Sequence, residues 1–267
     1  FVSKPSGRFS LDEIGEELIG KIKTASKIEV QLKITADDFV PWKRSEDVFD
    51  GSVSFSPKTK GRMAEQIIAI GISTGGPPAL LKLFSDFPEN FPGAVLVVQH
   101  MPPGGFTHAF AERLDTASNL RVREAVNGDV PAAGCAYIAP GDFHLALRRE
   151  SDGYVLRTEK TERISGHRPS IDVLFHSVAE SAGNDSIGVI MTGMGRDGAN
   201  GIKHLHDAGG YTIAQDRGSS VVYGMNRVAI EMDAIDEILQ LDKITKKIVE
   251  YIRGIHKYRN SLVINHK

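Results

Sequence analysis

The chain has 267 residues, 41% hydrophobic and 25% charged, a composition typical of a globular protein with enough apolar mass for one large core. A formal net charge of −2 leaves no electrostatic footprint for nucleic acid or an anionic membrane, and a single cysteine, Cys135, excludes an intrachain disulfide. No apolar run approaches the roughly 20 residues needed to span a bilayer, and there is no signal-peptide pattern, so a cytoplasmic protein is expected.

The sequence starts at Phe1 rather than Met, which suggests a piece of a longer chain. Leu11, Ile14, Leu18, Ile19 and Ile22 recur at helical spacing behind a Ser10/Glu13 capping box, so an amphipathic helix is predicted from Leu11 to about Ala25. From about Lys27 the pattern breaks into charge, Ser, Pro and Gly, which reads as a linker, with Trp42 as a local apolar anchor. The expected divisions are 1–26, a linker at 27–62, a main domain at 63–255 and a tail at 256–267 with frayed, basic character.

From Gln66 onward apolar runs alternate with helical stretches near Pro77–Phe84, Gly105–Ala117, Ser170–Ser181 and Gly198–Asp207, with a further strand at Tyr211–Gln215 and a final helix from Lys243 to about Arg253. That rhythm predicts an α/β fold with a doubly wound, mostly parallel sheet and flanking helices. Leu145–Arg148 and Tyr154–Thr158 flank Ser151-Asp152-Gly153 and read as an antiparallel hairpin inserted at the sheet, with positive φ supplied by Asp-Gly. Gly134-Cys135-Ala136-Tyr137-Ile138 reads as a strand interior holding a buried, unreactive Cys135.

Three residues with catalytic potential follow three strand-like runs: Ser73 after Gln66–Ile70, His100 after Ala94–Gln99 and Asp197 after Ile187–Met191. In an open parallel sheet the carboxyl ends of strands share one crevice, so a hydroxyl, an imidazole and a carboxylate can meet there. Gly71-Ile72-Ser73-Thr74-Gly75 fits G-x-S-x-G, a sharp strand-to-helix turn that lifts the serine out of the sheet; free N–H groups at such a turn, with Thr74 a candidate, suit an oxyanion. A glycine-rich phosphate-binding turn is the competing reading, and a phosphate- or nucleotide-binding module without hydrolase activity is the competing function. Asp197, in Gly193-Met194-Gly195-Arg196-Asp197-Gly198, reads either as the carboxylate orienting His100 or as a helix cap. No metal or cofactor is called for: His204 and His206 lie two apart on a predicted helix and face different ways. His144 and Arg168 are candidates for substrate contact, and a structural charge is an equal reading of Arg168.

Ile70-Gly71-Ile72-Ser73-Thr74-Gly75-Gly76, Val98-Gln99-His100-Met101, Tyr137-Ile138-Ala139-Pro140-Gly141, Pro169-Ser170-Ile171-Asp172-Val173-Leu174-Phe175 and Met191–Gly198 together resemble the catalytic domain of chemotaxis protein-glutamate methylesterases, the CheB-type enzymes. The resemblance runs from about Met63 to Tyr251. It implies Ser73 as nucleophile, His100 as base, Asp197 as its orienting carboxylate and the Met194 N–H as an oxyanion donor. The substrate it implies is a glutamate methyl ester on the cytoplasmic helical region of a chemoreceptor, with methanol released and receptor glutamine often deamidated as well. Phe1-Val2-Ser3-Lys4-Pro5-Ser6-Gly7 and the helix after it look like the end of a response-regulator receiver domain, which in full length a chemotaxis histidine kinase would phosphorylate. One departure is Gly224-Met225-Asn226, where the family usually has Gly-Met-Pro; it puts the local turn in question.

Overall fold

The computed structural model describes residues 63–264. The expected helix at Leu11–Ala25, the linker, Trp42 and the receiver-like segment at Phe1–Gly7 lie outside the described residues.

Two runs of branched apolar side chains become the central strands, β1 (Ile67–Ile72) and β2 (Ala94–Gln99), every residue of which is buried. Strands covered on both faces read as continuous apolar runs, which is why these two stand out in the sequence. Alternation sorts their side chains: Ile68, Ile70, Val95 and Val97 join one core cluster, while Ile67, Ala69, Ala94 and Leu96 join the other. Each face is then closed by helices whose apolar stripes match. On the first, α1 (Gly76–Ser85), α2 (Phe106–Ala117) and the C-terminal helix bring Leu80, Leu83, Phe84, Phe110, Leu114, Ile244 and Ile248. On the second, α3 (Ile171–Ala182), α4 (Ala199–Asp207) and α5 (Met225–Glu231) bring Leu174, Phe175, Ile202, Leu205 and Met225.

The sheet has seven strands in the order β3-β4-β2-β1-β7-β8-β9, all paired parallel. The added members are β3 (Arg121–Glu124), β4 (Cys135–Ile138), β7 (Ser186–Ile190), β8 (Tyr211–Gln215) and β9 (Glu237–Leu239). The chain winds outward from β1 through β2 and then returns beside β1 as β7, so the strand order reverses at the β1/β7 boundary. Such a switch point opens a crevice at the carboxyl ends of the strands.

The doubly wound fold expected from the sequence is therefore present, and the four helices predicted between Pro77 and Asp207 fall within a residue or so of their observed ends, whereas the last one, expected from Lys243 to about Arg253, begins at Leu241 and continues to Ile264. The hairpin forms as β5 (His144–Glu150) and β6 (Gly153–Glu159), but it is a separate two-stranded sheet rather than part of the main one. It is tied to α3, where Ser177 Oγ accepts the Leu147 N–H at 3.0 Å and Ser181 Oγ donates to the Leu147 carbonyl at 3.0 Å. Its two-residue loop, Ser151-Asp152, needs no positive φ; only Gly153 has one, at 130°. Cys135 opens β4 and is half-buried rather than interior, and burial raises its thiol pKa. The C-terminal helix, α6 (Leu241–Ile264), runs through most of the segment expected to be a frayed tail.

Gly71 is where the packing of α3 on β1 is set. A Cβ there would lie 2.1 Å from Ile171 Cγ2 and 3.1 Å from Phe175 Cζ, so the absence of a side chain is what lets the helix start approach the strand. Gly71→Ala is expected to destabilise by about 1–3 kcal/mol through overpacking, read as a drop of several degrees in thermal unfolding. An unchanged unfolding curve would mean that α3 can withdraw without cost.

Candidate active site

Backbone pairing fixes the relative positions of the strand tips. The Ser73 N–H donates to the Thr192 carbonyl just past β7 at 3.0 Å, and the His100 N–H donates to the Ile72 carbonyl at 3.1 Å. Past Ser73 the chain reverses: Gly75 takes φ 84° at the start of α1, Pro77 follows in the first turn, and the Gly76 N–H closes the elbow on the Ser73 carbonyl at 2.8 Å. A left-handed residue is needed here, and glycine supplies it without a steric penalty. The buried Gln99 amide locks the two tips together, donating to the carbonyls of Ser73 at 3.1 Å and His100 at 3.0 Å.

Between these tips lies a hydrogen-bonded relay. His100 Nδ1 is 3.1 Å from Ser73 Oγ, and His100 Nε2 is 2.8 Å from Asp197 Oδ2. Asp197 is 2% exposed and also accepts from Ser170 Oγ at 2.8 Å, the Ile171 N–H at 2.7 Å and the Asp172 N–H at 3.3 Å. Burial works to raise its pKa, but the hydrogen bonds from His100, Ile171 and Ser170 outweigh it and hold the carboxyl below its ordinary range. An ionised carboxylate only accepts, so Nε2 carries the ring proton and Nδ1 is left with its lone pair facing the serine.

The sequence posed orienting carboxylate and helix cap as alternatives for Asp197. The carboxylate is placed for both, bonded to His100 Nε2 and to the first N–H groups of a helix, and that helix is not the one that follows it. Gly198 opens α4 with no side chain of its own to cap it, and Asp172 Oδ1 accepts the Gly201 N–H of its first turn at 2.7 Å, whereas Asp197 sits across the crevice at the N-terminus of α3, where its charge meets free N–H groups and the positive end of the helix dipole.

The other candidates divide. Neither the Thr74 N–H nor the Met194 N–H has a hydrogen-bond partner among the described residues, and both residues are exposed, Met194 at 73%. Both N–H groups are thus left without a partner from the described residues. His144 differs: it is 2% exposed, its Nε2 bonds the Glu162 carbonyl at 2.9 Å and its Nδ1 accepts the Ser170 N–H at 3.1 Å. With both ring nitrogens engaged inside the protein, it braces the Ser170 backbone beneath Asp197. Arg168 lies in the cleft beside His100 but is committed to Asp142 Oδ1 at 2.7 and 3.0 Å and to the Thr161 carbonyl. His204 is exposed, and His206 is half-exposed with Nε2 3.4 Å from Asp236. Among the described residues no group of three or more His, Cys, Asp or Glu side chains is placed to hold a metal ion, and no helix is long and apolar enough to cross a membrane.

Four contributors were not singled out by sequence. His167 stacks flat on His100, with centroids 4.0 Å apart and planes within 6°, and burial followed by the neighbouring His100 charge lowers its pKa. Ser170 and Gln99 act as described above. Thr192 Oγ1 donates to the Thr74 carbonyl at 2.9 Å while accepting the Val222 N–H at 3.0 Å, bracing the elbow from β7. Asn226, the departure from the expected Gly-Met-Pro, is the second residue of α5; its buried amide donates to the Gln215 carbonyl at 2.8 Å, so the turn is kept and tied to the end of β8.

Comparison with known proteins gives the chain a family. The family described as CheB methylesterase matches residues 68–248. A protein-glutamate methylesterase/protein-glutamine glutaminase of Nitrosomonas europaea is 42% identical over 260 residues, covering 96% of this chain and 70% of the relative. Its namesake from Pyrococcus horikoshii is 41% identical over 260 residues, covering 95% and 68%. The crystal structure of the Thermotoga maritima CheB methylesterase catalytic domain superposes with a TM-score of 0.68 at 42% identity, covering 70% of this chain and 98% of that one. With an α/β crevice holding a Ser–His–Asp relay and a family match over most of its length, the chain belongs to the CheB methylesterase family of hydrolases.

Proposed function

We propose that this chain hydrolyses glutamate methyl esters on the cytoplasmic helical region of chemoreceptors, releasing methanol, and deamidates receptor glutamine by the same route. The observation that carries the reading is the single imidazole bonded to Ser73 Oγ on one side and to a buried, ionised carboxylate on the other. His100 Nδ1 takes the Ser73 proton as Oγ attacks the ester carbonyl, and Asp197 stabilises the imidazolium through Nε2–H. The Thr74 and Met194 N–H groups receive the oxyanion, and because they are already fixed by the elbow and the β7 turn they need no rearrangement. His100 then protonates the departing methoxide. Water, deprotonated by the same nitrogen, releases the acyl group and restores Ser73. With a glutamine side chain the leaving group is ammonia, which needs the same proton from His100.

The names of the relatives support the substrate class. Residues 1–26 are, on this reading, the end of a receiver domain that a chemotaxis histidine kinase phosphorylates, residues 27–62 a linker and 63–255 the catalytic unit, in a cytoplasmic protein. In the competing idea of a phosphate-binding module the buried carboxylate would serve only the start of α3, and its bond to the imidazole would do nothing for a bound anion. A serine-directed fluorophosphonate separates the two. Stoichiometric labelling of Ser73, lost in His100→Gln, is expected; a serine that is only an anion ligand would remain unlabelled.

A further inference from the structure

The strap joining β6 to α3 carries a cluster of cations that the ester chemistry does not use. Ile164 and His167 exchange backbone hydrogen bonds at 3.1 and 2.9 Å across Ser165 (φ 51°) and Gly166 (φ 83°), a tight turn whose two left-handed residues fix its shape. The residues flanking that pair, Arg163 and Arg168, both reach Asp142 Oδ1, at 3.3 Å and 2.7 Å, while Lys160 holds Oδ2 at 2.8 Å. These cations drive the Asp142 carboxyl down to about 2, first through Lys160 and then through Arg168. One carboxylate thus serves three cations. Arg168 is well enclosed and takes the best geometry; Arg163, 53% exposed, has only the longest of the contacts.

Arg163 also faces the site. A cleft of about 280 Å³ beside the relay has His100, Arg163, His167 and Arg168 as its polar lining, and the rest of its wall is methionine and proline. No acidic side chain lines it among the described residues. Of the nearest acidic residues in sequence, Glu159 lines a separate groove against α3, and neither Glu159 nor Glu162 forms an ion pair with the three cations. The Arg163 charge is felt at His167, the ring stacked on His100.

We infer that Arg163 is a specificity-determining residue: its guanidinium binds a carboxylate side chain of the substrate next to the ester, so that glutamyl esters with an acidic neighbour are preferred. This rests on the substrate reading proposed above. A guanidinium fork beside apolar walls suits a carboxylate held in two hydrogen bonds, and fixing it by the strap reduces the ordering cost on binding. A contact remote from the reacting carbonyl is made equally in ground and transition states, so its effect falls on KM.

The test uses the full chain and two versions of a chemoreceptor cytoplasmic fragment bearing one glutamate methyl ester, with the glutamates within one helical turn either retained or changed to Ala, which the enzyme cannot convert back to an acid. Methanol release should show kcat/KM about five- to tenfold higher for the acidic fragment, mainly through KM, with the gap narrowing in high salt. Arg163→Gln should abolish the preference, Arg163→Glu should reverse it, and Arg163→Lys should restore part of it. Hydrolysis of p-nitrophenyl acetate, which carries no neighbouring carboxylate, gives the intrinsic rate of each variant, against which its rates on the two fragments are compared. Equal rates on the two fragments by the unmodified chain, or a preference that survives Arg163→Gln, would overturn the inference while leaving the esterase reading intact. Release from neither fragment would overturn the substrate reading and this inference with it.

Discussion

Ser73→Ala is expected to lower ester turnover by about 10⁶-fold while leaving thermal unfolding unchanged. The hydroxyl makes one side-chain hydrogen bond, to His100 Nδ1, whereas the elbow is held by backbone contacts to Thr192 and Gly76 and by the Gln99 amide. Removing Oγ therefore removes the nucleophile and little of the structure. The Thr74 and Met194 donors remain, so weak catalysis over water should persist through binding and oxyanion stabilisation. Near-normal turnover by a folded Ser73→Ala protein would show that the attacking group is elsewhere.

Asp197→Asn should cost about 10⁴-fold in turnover and, in addition, about 1–2 kcal/mol in stability. The catalytic loss follows from the relay: an amide cannot offset an imidazolium charge, and its NH2 placed toward His100 would ask Nε2 to accept, moving the ring proton to face Ser73. The stability loss follows from α3, whose Ile171 and Asp172 N–H groups meet an anion in the native protein and would meet a half-donor amide in the variant. A depressed folded pKa gives a definite sign to the pH dependence. The contribution of Asp197 is complete above its unfolded pKa of about 3.9 and is lost as pH falls through the lower folded value. Unfolding curves of native and variant protein should accordingly differ at neutral pH and converge in acid. A difference that persists unchanged at pH 2 would mean that charge is not what Asp197 supplies to the helix.

Much of this was legible in the sequence because the central strands are buried on both sides. Ile67–Ile72 and Ala94–Gln99 are uninterrupted apolar runs ending in turn residues, so the strands, and hence the shared crevice for Ser73, His100 and Asp197, could be read without a structure. Edge strands give no such signal. In β3 only Val122 is buried, between Arg121 and Arg123, and β9 has three residues, none fully buried. The hairpin was legible from its own alternation, but its attachment to α3 through Ser177 and Ser181 depends on contacts about 30 residues apart that local pattern does not encode.

Residue roles were harder to read than residue presence. His144 stands at the start of a strand, as His100 stands at the end of one, and only its two internal hydrogen bonds separate a brace from a substrate contact. Asp197 looked like a choice between two functions because sequence shows the helix that follows it and not the helix that packs across from it. His167 and Gln99 lie inside recognisable motifs, yet stacking on His100 and clamping of two strand tips are properties of the assembled crevice.

The central claim is that one relay turns a receptor glutamyl ester into glutamate and methanol. It is tested most directly by following methanol from a methylated chemoreceptor fragment incubated with the native chain, with the fragment's mass read in parallel. The account predicts methanol in equal number to the methyl groups lost, each site returning as glutamate, and neither change with Ser73→Ala. A fluorophosphonate-reactive Ser73 that releases no methanol from the fragment would contradict it.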